Sequence, residues 1–524
     1  MNYYDVIPQD TLVPLTYFRV SGAAAAGGST ARPTLLTGQK VASGTATLDT
    51  PVRCSSVGKA IDLFGFGSML HRMVAAYKAN DPYGELWCLP VTDPTAGTKA
   101  TRVLTLTGPA TESGVLSLWI AGQRVPIVVA SGDTAHAVAI KVQTAVGINE
   151  AAAITAKSTL PVILKTVGVA DGVMTFESRW AGATGLQIDF RLNYLGDAAG
   201  ESTPAGLAIT ELATARYVHA NTAGVGVPSW AAGFAACVNK RFGYIGHPYV
   251  DGTASSGSLA SWKVELSDDG EGRWSPVRKY YGHAFTAYNE GVDADGLAAV
   301  VLANDPHTTP VGVVGCPNPP WEIAAAYCGR GARAFRSDPA LGLQSLELIG
   351  ILPPALADQL AWGDRQTLLG LGWATTIPGD VVRVERAVTS YTENAYGAAD
   401  QSFRDSETLA NLDYILTDLD GMLSSKFGRV KIVPDTDRVT GAESNAVRPS
   451  TIKAAIVAKY KVWQRLGLVS DVKTFARLLV VTMDALVPGR VNIYFPPALA
   501  QTCRLMAALT EFRLMYSAEE VSAA

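Results

Sequence analysis

The 524-residue sequence predicts a multidomain α/β protein: an α/β core, an inserted β-rich domain, an α+β C-terminal domain and extended terminal arms. Three observations lead to this class. Strand-like and helix-like segments alternate over residues 34–91 and again from about residue 228, the pattern of an α/β core. Residues 94–219 between them read almost entirely as short strands. The last third sets an alternating, charged strand ahead of a long amphipathic helix. A chain of this length exceeds what one hydrophobic core ordinarily serves, and its 48% apolar content is ample for several.

Residues 1–20 read as an extended arm, because Val13, Leu15 and Tyr17 alternate while Pro8 and Pro14 exclude a helix. Such an arm reaches roughly 66–72 Å when fully extended. The segment that follows is small and Gly-rich, and Gly22, Gly27 and Gly28 mark it as a hinge.

The α/β core is expected to be discontinuous, over residues 21–93 and 220–354. Its first part places a strand near Thr34, a helix from about Ser56 to Phe64, a second helix opening at Ser68 with Met69, Met73, Val74 and Tyr77 on one face, and a strand from Glu85 to Val91. The inserted domain spans residues 94–219, with strands beginning near Val103, Val115, Val125, Pro161, Val173 and Leu186. One clear helix interrupts them, capped by Asp133 and carrying Val138, Val142 and Val146 on one face. After it come a helix over 228–238, a strand from Phe242, a helix over 258–267, a strand from Lys279, a helix over 293–303 and a short helix over 321–330.

Residues 355–524 form the expected C-terminal domain. A strand from Val381 sets Val382, Val384 and Val388 on one face and Arg383, Glu385 and Ala387 on the other. The helix behind it takes Ser406 as N-cap and Glu407 in its first turn. Leu409, Leu412, Leu416, Leu419 and Leu423 form its apolar stripe, and Gly428 stops it. A terminal strand is expected within residues 490–516, with Val491, Ile493, Phe495, Leu505 and Phe512 as its apolar positions. Leu505, Ala508, Leu509 and Phe512 also fit a helical face, and Pro496-Pro497, together with the family resemblance given below, tilts the reading to strand.

Composition narrows the function. The net charge of −4, without a basic run, argues against a nucleic-acid coat. No stretch approaches the ~18 apolar residues of a membrane span, and the N-terminus lacks the marks of a secretory signal. Six scattered cysteines without a CxxC pair read as buried small hydrophobes of a reducing cytoplasm.

Catalytic signatures are missing. The only Gly-Lys, Gly58-Lys59, has Arg53 where a phosphate loop needs glycine, no serine carries glycines at both −2 and +2, and HExxH does not occur. Asp268-Asp-Gly-Glu-Gly272 lacks the alternating oxygens of a calcium loop and reads as a solvated turn. No metal or other cofactor is expected. His247 and His283 follow predicted strands, where a catalytic histidine could stand, but lone strand-end histidines more often pack or hydrogen-bond.

The order of these segments resembles the contractile-tail sheath proteins of Mu-like bacteriophages. The opening Ile7-Pro-Gln-Asp-Thr-Leu-Val-Pro, the strand at Leu35-Leu-Thr-Gly-Gln, Val57-Gly-Lys-Ala-Ile-Asp-Leu-Phe and the C-terminal third carry the resemblance. It implies a subtilisin-like core topology, and here neither His-Gly nor Gly-Thr-Ser occurs to supply the protease triad.

The resemblance further implies a structural subunit, not an enzyme, that stacks as six-fold rings around a tail tube, contracts to drive the tube through the host envelope, and assembles with baseplate and terminator proteins. It places the protein in the virion tail after assembly in the host cytoplasm, with arms that link neighbouring subunits. Lys426, Arg429, Lys431 and Arg438 are the candidate tube contacts. A sheath of a phage-tail-like bacteriocin or prophage remnant, and a soluble α/β hydrolase, are the alternatives.

Overall fold

A computed structural model describes residues 32–168, 171–213, 215–220, 224–252, 255–289, 294–300, 302–437, 445–512 and 514. The first strand, β1 (Thr34–Gln39), is buried along its whole length. After β2 (Val52–Arg53) the Ser56 hydroxyl accepts from the Lys59 amide to open α1 (Val57–Phe64), and Ser68 does the same from His71 to open α2 (Met69–Asn80). β3 (Leu86–Val91) then lies parallel to β1, pairing Leu36 with Cys88 and Thr37 with Leu89.

Residues 99–219 supply β4 (Lys99–Thr107), β5 (Gly114–Ile120), β6 (Gln123–Val129), α3 (Ala135–Val146), α4 (Glu150–Thr155), β7 (Val162–Val167), β8 (Gly172–Ala181), β9 (Asp189–Leu192), β10 (Ala208–Ile209) and β11 (Tyr217–His219). They make two antiparallel four-stranded sheets, in the orders β10-β4-β8-β7 and β11-β9-β5-β6. The expected helix is α3, but its cap is Thr134, which accepts from the Ala137 amide. Asp133 instead accepts from Ala130 N and pairs with Lys141. The strand expected from Leu186 starts later, at Asp189, because Gly182 at φ +121° turns the chain into a short 3-10 segment.

The parallel pattern then resumes with α5 (Ala231–Cys237), β12 (Tyr244–Gly246), α6 (Ser258–Leu266), β13 (His283–Tyr288), α7 (Ala294–Ala298), β14 (Thr308–Gly312) and α8 (Pro320–Ser337). β13 begins four residues after its predicted start, since Lys279 and Tyr281 hold φ near +50°, outside the extended region. β1 lies between β3 and β12, so one sheet, β14-β13-β12-β1-β3-β2, takes strands from both sides of residues 99–219.

Helices α2 and α8 cover one face of this sheet. Gly38 of β1 lies so close that a Cβ there would stand 3.0 Å from the sulfurs of Met69 and Met73. On the other face Gly233 of α5 packs against Leu89.

The two antiparallel sheets share one continuous hydrophobic core with the central sheet. Buried arginines fasten them. Arg72 of α2 pairs with Glu322 of α8 and donates to the Ala121 carbonyl at 2.6 Å. Arg179 of β8 donates to the Phe66 carbonyl at 2.9 Å, and Arg191 forks onto Asp189 at 2.6 and 2.7 Å while reaching the Gly315 carbonyl. The Trp180 and Trp321 rings meet edge-on at 5.3 Å.

The last part comprises α9 (Trp362–Gly370), β15 (Thr375–Ile377), β16 (Arg383–Arg386), α10 (Ser406–Phe427), β17 (Lys431–Ile432), β18 (Ala446–Val447), α11 (Pro449–Arg465), α12 (Val472–Leu478), β19 (Val480–Met483) and β20 (Val491–Tyr494). Val382, Val384 and Val388 are buried as expected, but so is Ala387, which was expected with Arg383 and Glu385. Strand β16 ends at Arg386, and the two-residue alternation ends with it. The N-cap of α10 is Asp405, not Ser406, which is the first helical residue.

The inward face of α10 is also rotated. Leu409, Ile415 and Leu419 are buried, whereas Leu412, Leu416 and Leu423 are half-buried. Asn411 and Asp413 take inward positions because they have partners there: the Leu468 carbonyl at 2.8 Å and Arg241 at 2.8 Å. Gly428 ends the helix with a right-handed φ of −64°. From Ile415 onward a second core forms, with Ile452, Ile456, Tyr460 and Trp463 of α11 and Phe475 of α12. No described helix is long and apolar enough to cross a membrane.

Candidate subunit-linking site

The end of the chain is built outward from the second core. The β-branched run of β19 and the residues of β20 pair antiparallel, Val480 with Tyr494, Val481 with Ile493, Thr482 with Asn492 and Met483 with Val491. Alternation turns Val481, Val491 and Ile493 onto the core and leaves Val480 and Tyr494 outside, 49% and 63% exposed. Asp484 fixes the connecting turn, accepting from the amides of Leu486 and Val487 at 2.8 and 3.0 Å and from Asn492 Nδ2 at 2.9 Å. The Asn492 bond and those two amides hold its carboxyl down at about 2.

Among the described residues, this sheet has two strands only. Each strand therefore presents one ladder edge with no strand beside it, an invitation to pair with another chain. Val491, Ile493 and Phe495 were expected within the terminal segment that pairs with neighbours. The first two instead pair with the chain's own β19, and Phe495 packs its ring 5.4 Å from Phe475 and 6.1 Å from Trp463. That pairing leaves one edge of β20 and one edge of β19 without a strand among the described residues.

Beyond Phe495 the chain is held at alternate residues from Ala498 to Arg504. Ser470 N donates to the Ala498 carbonyl at 2.8 Å, Ala500 N to Leu468 at 3.0 Å, and Gly342 N to the Thr502 hydroxyl at 2.9 Å. Arg504 then pairs with Asp405 and Glu407 at the start of α10. After it, residues 505–512 form neither of the expected alternatives, strand or helix. Leu505, Met506, Leu509, Phe512 and Leu514 are 84–97% exposed. Burying a side chain of this size contributes about 1.5–3 kcal/mol, a stabilisation that the other described residues do not supply to this tail.

Of the other sequence-predicted residues, Lys426, Arg429 and Lys431 lie together and exposed where α10 ends and β17 begins. Val13, Leu15, Tyr17, Gly22, Gly27, Gly28 and Arg438 lie outside the described residues. His247 is fully buried, its ring stacked 5.1 Å from Trp262, and burial drives its pKa down to about 3. His283 is likewise driven to about 3, with Nε2 2.7 Å from the Thr309 hydroxyl. Among the described residues no group of three His, Cys, Asp or Glu side chains could hold a metal ion.

No family model matches the chain. Over 517 residues, 98% of this chain and 99% of the relative, it is 32% identical to the Mu-like prophage FluMu tail sheath protein of Haemophilus influenzae. The chain belongs to the tail sheath family.

Two solved sheath structures are also similar. The sheath tail protein of Desulfitobacterium hafniense is 12% identical, with 93% of this chain and 97% of that one covered and a TM-score of 0.45. The helical sheath of the anti-feeding prophage in its contracted state is 11% identical, with 96% and 100% covered and a TM-score of 0.44.

The sheath chain also contains α11 and β19, which lie outside the elements expected from the sequence. Helix α11 begins with Pro449 at its first position and places Ile452, Ile456, Tyr460 and Trp463 inward at helical spacing, a signal that could have found it. Strand β19 lies in the apolar run from Leu478 to Val487, whose β-branched Val480, Val481 and Thr482 are the local signal for it.

Proposed function

We propose that this protein is the structural subunit of a contractile tail sheath, stacking as six-fold rings around a tail tube and contracting to drive the tube through a host envelope. The observation that carries this reading is the unfinished C-terminal end. A two-stranded sheet with open edges is followed by an anchored segment and then by a tail of exposed apolar residues. Strand addition would complete the sheet with segments from neighbours, namely residues 3–20 of one copy and the tail after Arg504 of another. Backbone ladders of this kind persist while the bodies they join rotate about Gly22, Gly27 and Gly28, and contraction is then a rigid-body repacking from a trapped extended form.

The core is proposed to have subtilisin-like topology without its chemistry. The burial of His247 and His283, neutral and out of reach of a substrate, supports that reading. Lys426, Arg429, Lys431 and Arg438 are proposed to face the tube, with baseplate and terminator proteins at the two ends of the stack. Virion tail is the proposed location, after assembly in the host cytoplasm. Negative-stain microscopy of the purified chain tests the reading: tubes or stacked rings are expected, and a monodisperse monomer at every concentration would overturn it.

A further inference from the structure

Charge is unevenly distributed over the sheath chain. On α11, Lys459 is neutralised by Asp418 at 2.7 Å. Lys453, Lys461 and Arg465 stand at helical spacing along a different face of the same helix and have no ion pair among the described residues. They flank a groove floored by Ala454, Val457, Ala458 and Ala476, whose small side chains let another surface approach the backbone. Val462 and Leu466 are 44% and 56% exposed at its side. Lys473 and Arg477 of α12 add two more exposed cations without an ion pair. This concentration of cations occurs in a chain of net charge −4.

The matching feature is the acidic turn after α6. Asp268 is 65% exposed, and among the described residues its ion-pair contact is with His307, at 3.4 Å. Asp269 and Glu271 are exposed, and neither carboxylate has an ion pair among the described residues. The backbone of the turn is fixed, with Gly270 at φ +57°, Gly272 N donating to the Asp269 carbonyl and Arg278 donating to the Glu271 carbonyl. Val264, 71% exposed, lies beside it in the groove between α5 and α6. Arg278 in the same groove is already paired with Glu265, so both surfaces combine ion-pair-free charges of one sign, among the described residues, with exposed aliphatic groups, and the signs are opposite.

We infer that the basic groove of α11 and α12 takes the acidic turn at residues 268–271 of a second copy of this chain. The turn belongs to the core of the central sheet through Trp262 and Leu266, and the groove to the second core through Ile456 and Tyr460. Two different patches of one chain make a head-to-tail contact, which propagates into rings or helices and does not close as a dimer. The inference rests on the polymerising role proposed above and names one of its interfaces. Such a contact is steered by charge and weakened by salt.

Paired charge reversals test it. Protein carrying Lys453→Glu, Lys461→Glu, Arg465→Glu and Lys473→Glu, which turns the groove net acidic, and separately protein carrying Asp269→Lys and Glu271→Lys, which turns the loop net basic, should keep the wild-type melting temperature. Each alone should raise the critical concentration for sedimentable polymer at least tenfold. Mixing the two proteins should restore assembly, because every junction then joins opposite charges in an alternating copolymer. Failure of the mixture to assemble, or wild-type polymer from either protein alone, overturns the inference even where the wild-type chain forms tubes. A wild-type chain that stays monomeric overturns the inference together with the sheath reading.

Discussion

The Nη2 of Arg504 lies 3.2 Å from Oδ1 of Asp405, the N-cap of α10, and this pair is the last fixed point before the exposed tail. Glu407 shares the same guanidinium. Arg386 also forks onto Asp405, so four charges at the head of one helix decide where the tail leaves the body. Arg504→Ala is expected to cost about 1–2 kcal/mol, because Glu407 loses its cation in a partly buried site while Asp405 keeps Arg386 at 2.9 Å. A lowered melting temperature and fewer tubes in negative stain are the measurable outcomes. An unchanged melting temperature would show that the anchor is not structural.

Deleting residues 1–20 should leave the melting temperature of the body unchanged while abolishing tubes. Circular dichroism and negative-stain microscopy of one preparation check both halves. Normal tubes from the truncated protein would remove the N-terminal arm from the linkage.

Ile415 and Leu416 are neighbours in α10 with different fates. Ile415 is fully buried in the second core, whereas Leu416 is half-buried outside it. Ile415→Asp places a carboxylate where nothing can pair with it and should cost several kcal/mol, enough to unfold that core. Leu416→Asp, which the leucine stripe alone would nominate, should be far milder. Thermal melts of the two variants compare them directly, and equal losses would contradict the observed rotation of the helix.

Stability should fall on mild acidification. His247 and His283 have folded-state pKa values near 3, against 6.5 for an unperturbed histidine, so each takes up its proton on unfolding. The stabilisation is complete above pH 6.5 and is lost as pH falls toward 3, by about 2 kcal/mol per histidine at pH 5. Melting temperatures between pH 7.5 and 5 measure this, and His247→Phe should flatten the slope. A wild-type melting temperature independent of pH over that range would refute the assignment.

Much of the body was legible from local signals. Ser56 and Ser68 open α1 and α2 as read, because a hydroxyl cap acts within its own turn. The strands of residues 99–219 declare themselves by alternation, and Gly428 ends its helix. The errors fall where long-range partners override local pattern. Asp413 is inward because Arg241 meets it from the central domain, and Val491 pairs with Met483 because a turn centred on Asp484 folds the chain back. Ala387 is buried although the alternation of β16 would turn it outward, since the ladder stops one residue earlier.

The site divides in the same way. By itself the sequence determined the order of the segments, the sheath resemblance, the missing catalytic motifs and the apolar character of the chain's end. Each of these is a property of residue type and spacing. Only the tertiary structure decided that the exposed tail begins after Arg504, and that, among the described residues, β20 retains one open edge and Lys453, Lys461 and Arg465 share a face of α11 without ion pairs. The reason is physical: whether a strand edge, an apolar side chain or a charge is satisfied depends on what distant residues bring beside it.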